Sequence, residues 1–377
     1  MKHSKRLYVI AGEASGDLHA SNLMREMLDI DDKLDFRFWG GDRMEEVYKG
    51  GVKHIKDLAF MGFWEVITNI RTIFKNITFC KQDILSYKPD AIILVDYPGF
   101  NLRIAEWAKE QGIQVIYYIS PQVWAWKQKR VHKIKKVVDK MFVILPFEKE
   151  FYERFDYSVE YLGHPLLDEI SRHAERATIM DSWKKERKLS DLPIIAVLPG
   201  SRKQEVSKKL PVMLDALKGM EDYQVVVAGA PSLEPIFYKE FLGDNTKIIF
   251  NDTYNLLSIS SLAVVTSGTA TLETALFKVP EVVCYKSSQI SYSIAKRLIK
   301  VKYISLVNLI MDKLVVKELI QNECTPEKIR TEIELIIQNQ EYAESMRNNY
   351  NELAEILGGG GASRKVAQSL LTSIHKQ

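Results

Sequence analysis

Short apolar runs of four or five residues recur along the chain, each followed by a stretch long enough for a helix. This alternation limits the fold more than any other feature. In the first half the runs lie at 7–11, 36–39, 91–95, 115–119, 141–145 and 159–162, and are rich in Val, Ile, Tyr or Phe. Helix-length stretches such as 17–29 and 102–111 separate them. Strands alternating with helices predict a parallel sheet covered on both faces. The pattern pauses over 168–192, a charged segment ending before Pro193, and resumes at 194–198, 224–228, 247–250, 262–266 and 281–285. A second parallel sheet is therefore expected, and 377 residues suffice for two or three domains. The expected division is 1–175, 176–340 and a helical tail 341–377, interrupted by the glycines of 358–361. No internal repeat is visible; the halves are alike in architecture only.

Bulk properties exclude several classes. A net charge of +3 is too small to imply nucleic acid. Cys80, Cys284 and Cys324 are widely spaced without a C-x-x-C, which argues against a zinc site or disulfide framework and fits a reducing cytoplasm. The basic N-terminus runs quickly into Gly12-Glu13, so a first strand is expected there instead of a signal peptide. No run of 18 apolar residues occurs, so no spanning helix is expected.

Parallel sheets bind ligands beyond the carboxyl ends of their strands. After 194–198 comes Pro199-Gly200-Ser201-Arg202, where glycine admits close backbone approach and arginine offers a forked cation. After 262–266 comes Ser267-Gly268-Thr269, opening a helix whose free N–H groups suit a diphosphate. Glu273, one turn in, can accept from ribose hydroxyls; the plainer reading is N-capping, with Glu273 complementing the helix dipole. In the first half, Gly12, Glu13, Ser15, Gly16 and Asp17 form a glycine-rich turn that matches neither G-x-G-x-x-G nor a P-loop, and suits carbohydrate hydroxyls. Asp96, at a strand end beside a sharp turn, is placed as a general base; its alternative is capping the next helix.

Trp124 and Trp126 suit either a sugar face or the core. His164, beside Pro165, suits either the active site or a structural hydrogen bond. The cations from Lys127 to Lys140 make either a solvated helix face or an anion-attracting one. An apolar stripe over 58–79, carrying Phe60, Phe63, Trp64, Ile67, Ile70 and Phe74 with Arg71 and Lys75 close by, reads as core or as an interfacial helix. Asp29-Ile30-Asp31 ends a helix, not a strand, so it is not read as a metal-holding D-x-D.

Nine segments together are specific: GEASGD (12–17), GGDRM (40–44), MGFWEV (61–66), DYPGFN (96–101), SPQVWAW (120–126), LPFEKEFY (145–152), GHPL (163–166), LPGSR (198–202) and SGTATLE (267–273). In this order they resemble the lipid-A-disaccharide synthase family, over residues 7 to about 330. The resemblance implies a GT-B fold of two facing Rossmann-like α/β domains with parallel sheets. It implies transfer of 2,3-diacylglucosamine from its UDP derivative to 2,3-diacylglucosamine 1-phosphate, forming a β-1,6-linked disaccharide 1-phosphate and UDP. It also implies a cytoplasmic enzyme peripheral to the anionic inner-membrane surface, with no metal or other cofactor and no nucleic-acid partner. The family's base falls on Asp96, and its nucleotide positions on Ser201, Arg202, Ser267, Gly268, Thr269 and Glu273. A late motif retains Asn308, Glu318 and Gln321, of which Asn308 and Gln321 are assigned to the nucleotide, while Val307 and Lys317 stand where proline is common. The tail is expected either to return to the first domain or to exchange within a homodimer. The rival functions are a sugar-nucleotide 2-epimerase of the same architecture and a non-enzymatic membrane-surface scaffold.

Overall fold

Central strands of a parallel sheet lose both faces to the core, so they read as continuous apolar runs. The computed structural model describes residues 4–58, 70–175, 180–243, 246–288, 292 and 301–374. It divides the chain into two units, Met1–Asp168 with Gly358–Gln377, and Glu169–Leu357. The first holds a seven-stranded parallel sheet of β1 (Arg6–Ala11), β2 (Asp35–Gly40), β3 (Gly51–His54), β4 (Ala91–Val95), β5 (Gln114–Tyr118), β6 (Lys140–Val143) and β7 (Glu160–Tyr161), in the order β3-β2-β1-β4-β5-β6-β7. The second holds six parallel strands, β8 (Ile194–Leu198), β9 (Gln224–Gly229), β10 (Lys247–Phe250), β11 (Ser260–Thr266), β12 (Glu281–Tyr285) and β13 (Lys317–Ile320), in the order β10-β9-β8-β11-β12-β13. Strands β4, β5 and β8 are buried along their whole length.

The outer strands β3 and β13 were not among the expected runs. Both are four residues long and partly exposed, with sequences GVKH and KELI. An edge strand has one unpaired side and needs no apolar run, so its pattern is weak. The run at 159–162 shrinks to the two residues of β7.

The expected tail 341–377 is divided differently by the structure. Helix Gln340–Ile356 belongs to the second unit, while helix Ala362–Ile374 belongs to the first. Val366, Ala367, Leu370, Leu371 and Ile374 fill the same core as Leu23, Met24 and Met27 of helix Ala14–Ile30. The N-terminus of Ala362–Ile374 is tied down by Asp168, which accepts from Gly361 N–H (2.5 Å), Ala362 N–H (3.2 Å) and Ser363 N–H (2.7 Å). A carboxylate there meets three unpaired donors and the positive end of the helix dipole. The division between units falls after that same Asp168, not at 175.

Helix Ile70–Tyr87 buries Ile77, Cys80 and Ile84 and exposes Phe74, Phe79 and Leu85. The three- and four-residue steps of the buried set put them on one stripe. Phe60, Phe63, Trp64, Ile67 and the Ile70 side chain lie outside the described residues. Among the described residues, no helix is long and apolar enough to cross a membrane.

Candidate active site

The chain leaves β4 through two successive left-handed residues, Asp96 (φ 45°) and Tyr97 (φ 49°). Side chains other than glycine seldom adopt this conformation, and it persists only where surroundings enforce it. Here the Asp96 carbonyl accepts from Tyr117 Oη (2.5 Å) and Asn101 Nδ2 (2.7 Å), while Asp96 N–H donates to Tyr118 O (3.1 Å). Asn101 is fully buried within helix Pro98–Glu110, so it braces the turn and does not cap the helix. The Tyr97 ring lies against Gly12; a Cβ on Gly12 would come within 2.3 Å of it. The glycine-rich turn and the Asp96 turn are therefore packed as one unit.

Burial, with the Glu13 carboxylate adding like charge, pushes the Asp96 carboxyl up to about 7. A carboxylate that binds its proton near neutrality is matched to general-base work. Glu13 and Asp96 are thus brought together, from β-strand ends 83 residues apart in sequence (96 − 13). Ser15 is exposed in the first turn of the following helix, and Gly16 is buried there.

Three sequence assignments in this unit change. Asp17 is buried, and its oxygens accept from Gly41 N–H (2.6 Å), Arg43 N–H (3.1 Å) and Met44 N–H (3.2 Å). It caps helix Asp42–Val47 and is committed to backbone, not to a sugar. Trp124 is 8% exposed and packs edge-on to Phe147, whereas Trp126 is 48% exposed with Lys127 Nζ 3.8 Å from its ring centre. Trp126 is thus the more exposed of the two, but Lys127 covers a face of its ring. His164 is buried, its Nδ1 accepts from Leu166 N–H (3.1 Å), and burial lowers it to about 3. A neutral ring with its proton on Nε2 is structural here. Part of the basic stretch is also committed: Lys133 pairs with Glu106 (2.8 Å), Lys140 pairs with Glu160 (3.0 Å), and Lys135 donates to Phe155 O (3.1 Å).

In the second unit, Gly200 (φ 116°) turns the chain out of β8. Ser201 and Arg202 follow it, both exposed, with the guanidinium 3.5 Å from Glu205. At the end of β11, Ser267 donates through Oγ to Ile304 O (2.8 Å) and through N–H to Cys284 O (3.1 Å). Gly268 and Thr269 are exposed at the start of helix Thr269–Leu276. Tyr254 donates to Glu273 (3.1 Å), and burial with Glu169 nearby raises the Glu273 carboxyl. The loops after β8 and β11, which are neighbours in the sheet, thus present an arginine and a helix N-terminus.

The late motif is structural. Buried Asn308 accepts from Val315 N–H (2.8 Å) and Val316 N–H (3.0 Å) and donates to Val316 O (2.9 Å) and Glu318 (2.9 Å). All four hydrogen-bonding positions of its amide are filled, leaving none for a nucleotide. Gln321 likewise accepts from Ser287 N–H (2.8 Å). Val307 is the second residue of helix Leu306–Met311, capped by Ser305, and Lys317 opens the edge strand β13. Both are positions where proline is tolerated but not required.

Among the described residues, no cluster of three His, Cys, Asp or Glu is arranged to hold a metal.

The family model described as lipid-A-disaccharide synthetase matches residues 7–370. A lipid-A-disaccharide synthase of Geobacter metallireducens is 36% identical over 99% of this chain and 98% of its own length. That of Syntrophus aciditrophicus is 38% identical over 99% of each. The fold is shared with a UDP-GlcNAc 2-epimerase from Neisseria meningitidis, bound to UDP-GlcNAc (TM-score 0.67, 16% identity, 98% of this chain and 100% of the other). It is also shared with a glycosyltransferase from Rickettsia africae (TM-score 0.60, 13% identity, 99% of each). At such low identity these two structures speak for the fold alone.

Proposed function

The chain belongs to the lipid-A-disaccharide synthase family, and from that premise we propose how its residues divide the work. The reaction transfers 2,3-diacylglucosamine from UDP to the 6-hydroxyl of 2,3-diacylglucosamine 1-phosphate. Asp96 takes the hydroxyl proton as the oxygen attacks the anomeric carbon and the bond to UDP breaks. Inversion at that carbon gives the β linkage. Burial, with Glu13 beside it, keeps the proton affinity of Asp96 high, so the carboxylate is a stronger base than one in water. Arg202 and the N–H groups at Gly268 and Thr269, at the helix N-terminus, receive the negative charge that grows on the leaving diphosphate. Glu273 accepts from the ribose. The observation that carries this reading is Asp96 itself, braced in a left-handed turn with its proton affinity near neutrality. Incubating the protein with UDP-2,3-diacylglucosamine and the monosaccharide 1-phosphate tests it. A disaccharide 1-phosphate plus UDP is expected; an epimerised donor, or no product, would overturn it.

The acceptor and donor carry acyl chains, so we place a membrane-facing surface on helix Ile70–Tyr87. Phe74 is 54% and Phe79 45% exposed, with Arg71 and Lys75 on the same helix. Aromatics beside cations suit the headgroup boundary of an anionic bilayer. Replacing Phe74 by serine is expected to weaken co-sedimentation with anionic vesicles several-fold without lowering the melting temperature. Equal sedimentation of the two proteins would remove Phe74 from that surface.

A further inference from the structure

Helix Lys203–Ala216 packs Val206, Leu210, Met213 and Ala216 into the second unit, and the same buried face carries Lys209. An apolar slot holding a lysine is unexpected, because lysine is almost never fully buried unless paired. Lys209 is 3% exposed, and its ammonium donates to Thr266 Oγ1. Among the described residues it forms no ion pair with a carboxylate. The nearest acid on its own helix, Glu205, lies against Arg202 instead. On the other side stand Cys284 and Cys324, whose thiols hydrogen-bond each other. Burial lowers the proton affinity of Lys209, with Arg202 adding to that and Glu205 opposing it.

Thr266 is the last residue of β11, directly before the Ser267-Gly268-Thr269 loop. The ammonium therefore sits behind the loop that carries the free helix N-terminus. A buried cation bound only to a hydroxyl is costly by itself and gains most when an anion arrives close by. We infer that Lys209 is a positioning residue of the donor site, holding Thr266 and supplying buried positive charge for the diphosphate behind the 267–269 loop. This rests on the reading of that loop as the donor site.

The inference separates two properties that a packing role would move together. Methionine keeps an unbranched side chain only one atom shorter and removes the charge. A buried charge without a carboxylate partner carries a desolvation cost that an apolar side chain does not. Lys209→Met should therefore melt no lower than the unaltered chain while binding UDP about tenfold more weakly, which corresponds to about 1.4 kcal/mol. Uridine, which lacks the diphosphate, should bind the two proteins equally within about twofold. Calorimetric titration of the full chain with UDP and with uridine reads all of this, and Lys209→Gln repeats it should the methionine variant not fold. UDP bound equally by unaltered and variant proteins overturns the inference and leaves the donor site intact. UDP and uridine weakened in parallel also overturns it, since the pocket and not the charge would have changed. Failure of the unaltered chain to bind UDP at all overturns the donor-site reading and this inference with it.

Discussion

Asp96→Asn is expected to bind UDP normally, to make disaccharide at least about a thousandfold more slowly, and to melt higher than the unaltered chain above pH 7. The rate loss is in the range a positioned base supplies. The stability gain follows from the direction of the Asp96 shift. Burial and Glu13 raise its carboxyl to about 7, so the folded state holds a proton that the unfolded chain releases near pH 4. Its contribution to stability is complete below about pH 4 and is lost as the pH rises to and through about 7. At about 1.36 kcal/mol per pKa unit the loss is on the order of 4 kcal/mol at most. Asparagine fills the same space and never ionises, so the variant escapes that loss. Melting curves at pH 5 and pH 8 check the sign: the gap between variant and unaltered chain should widen at pH 8. In the unaltered enzyme, turnover should rise with pH through about 7 as Asp96 loses its proton. A variant that turns over normally would exclude Asp96 as the base.

Asn308→Ala should be a folding variant, not a binding one. Removing the amide strands the Val315 and Val316 N–H groups and the Val316 carbonyl, and takes one donor from Glu318. Each buried unsatisfied group costs about 1–3 kcal/mol, so a loss of roughly 3–5 kcal/mol is expected in the transition of the second unit. Glu318 keeps its bonds from Ile304 N–H (3.0 Å) and Ser305 N–H (2.9 Å), so the turn before helix Leu306–Met311 is weakened without being abolished. Urea titration of the full chain measures the loss. At a temperature where the variant is folded, its UDP affinity should remain within about threefold of the unaltered value. A large loss of affinity in a stable variant would return Asn308 to the nucleotide site.

The sequence by itself determined the two parallel sheets, because interior strands such as β4 and β8 must be apolar on both faces and therefore announce themselves. It picked out the strand ends to inspect, and with them Asp96, Arg202 and the 267–269 loop as candidates, since in such sheets the ligand-binding edge follows from chain direction. It did not distinguish polar residues that face a ligand from those that face backbone. Asp17, His164, Asn308 and Gln321 look like site residues in a motif, yet each is committed to N–H groups brought near by folding. Asp168 is a further case, capping a helix 193 residues later (361 − 168). Hydrogen-bond partners far apart in sequence leave no periodicity to read.

Other groups left only faint signals in the chain. Tyr117 and Asn101 brace the Asp96 turn from a neighbouring strand and from the following helix. Lys209 showed only as a cation on what proved to be a buried face. For Asp96, the sequence supplied the carboxylate and its strand end. Its strained turn and high proton affinity came only with folding, because burial and the nearby Glu13 raise the carboxyl while Tyr117 and Asn101 hold the turn.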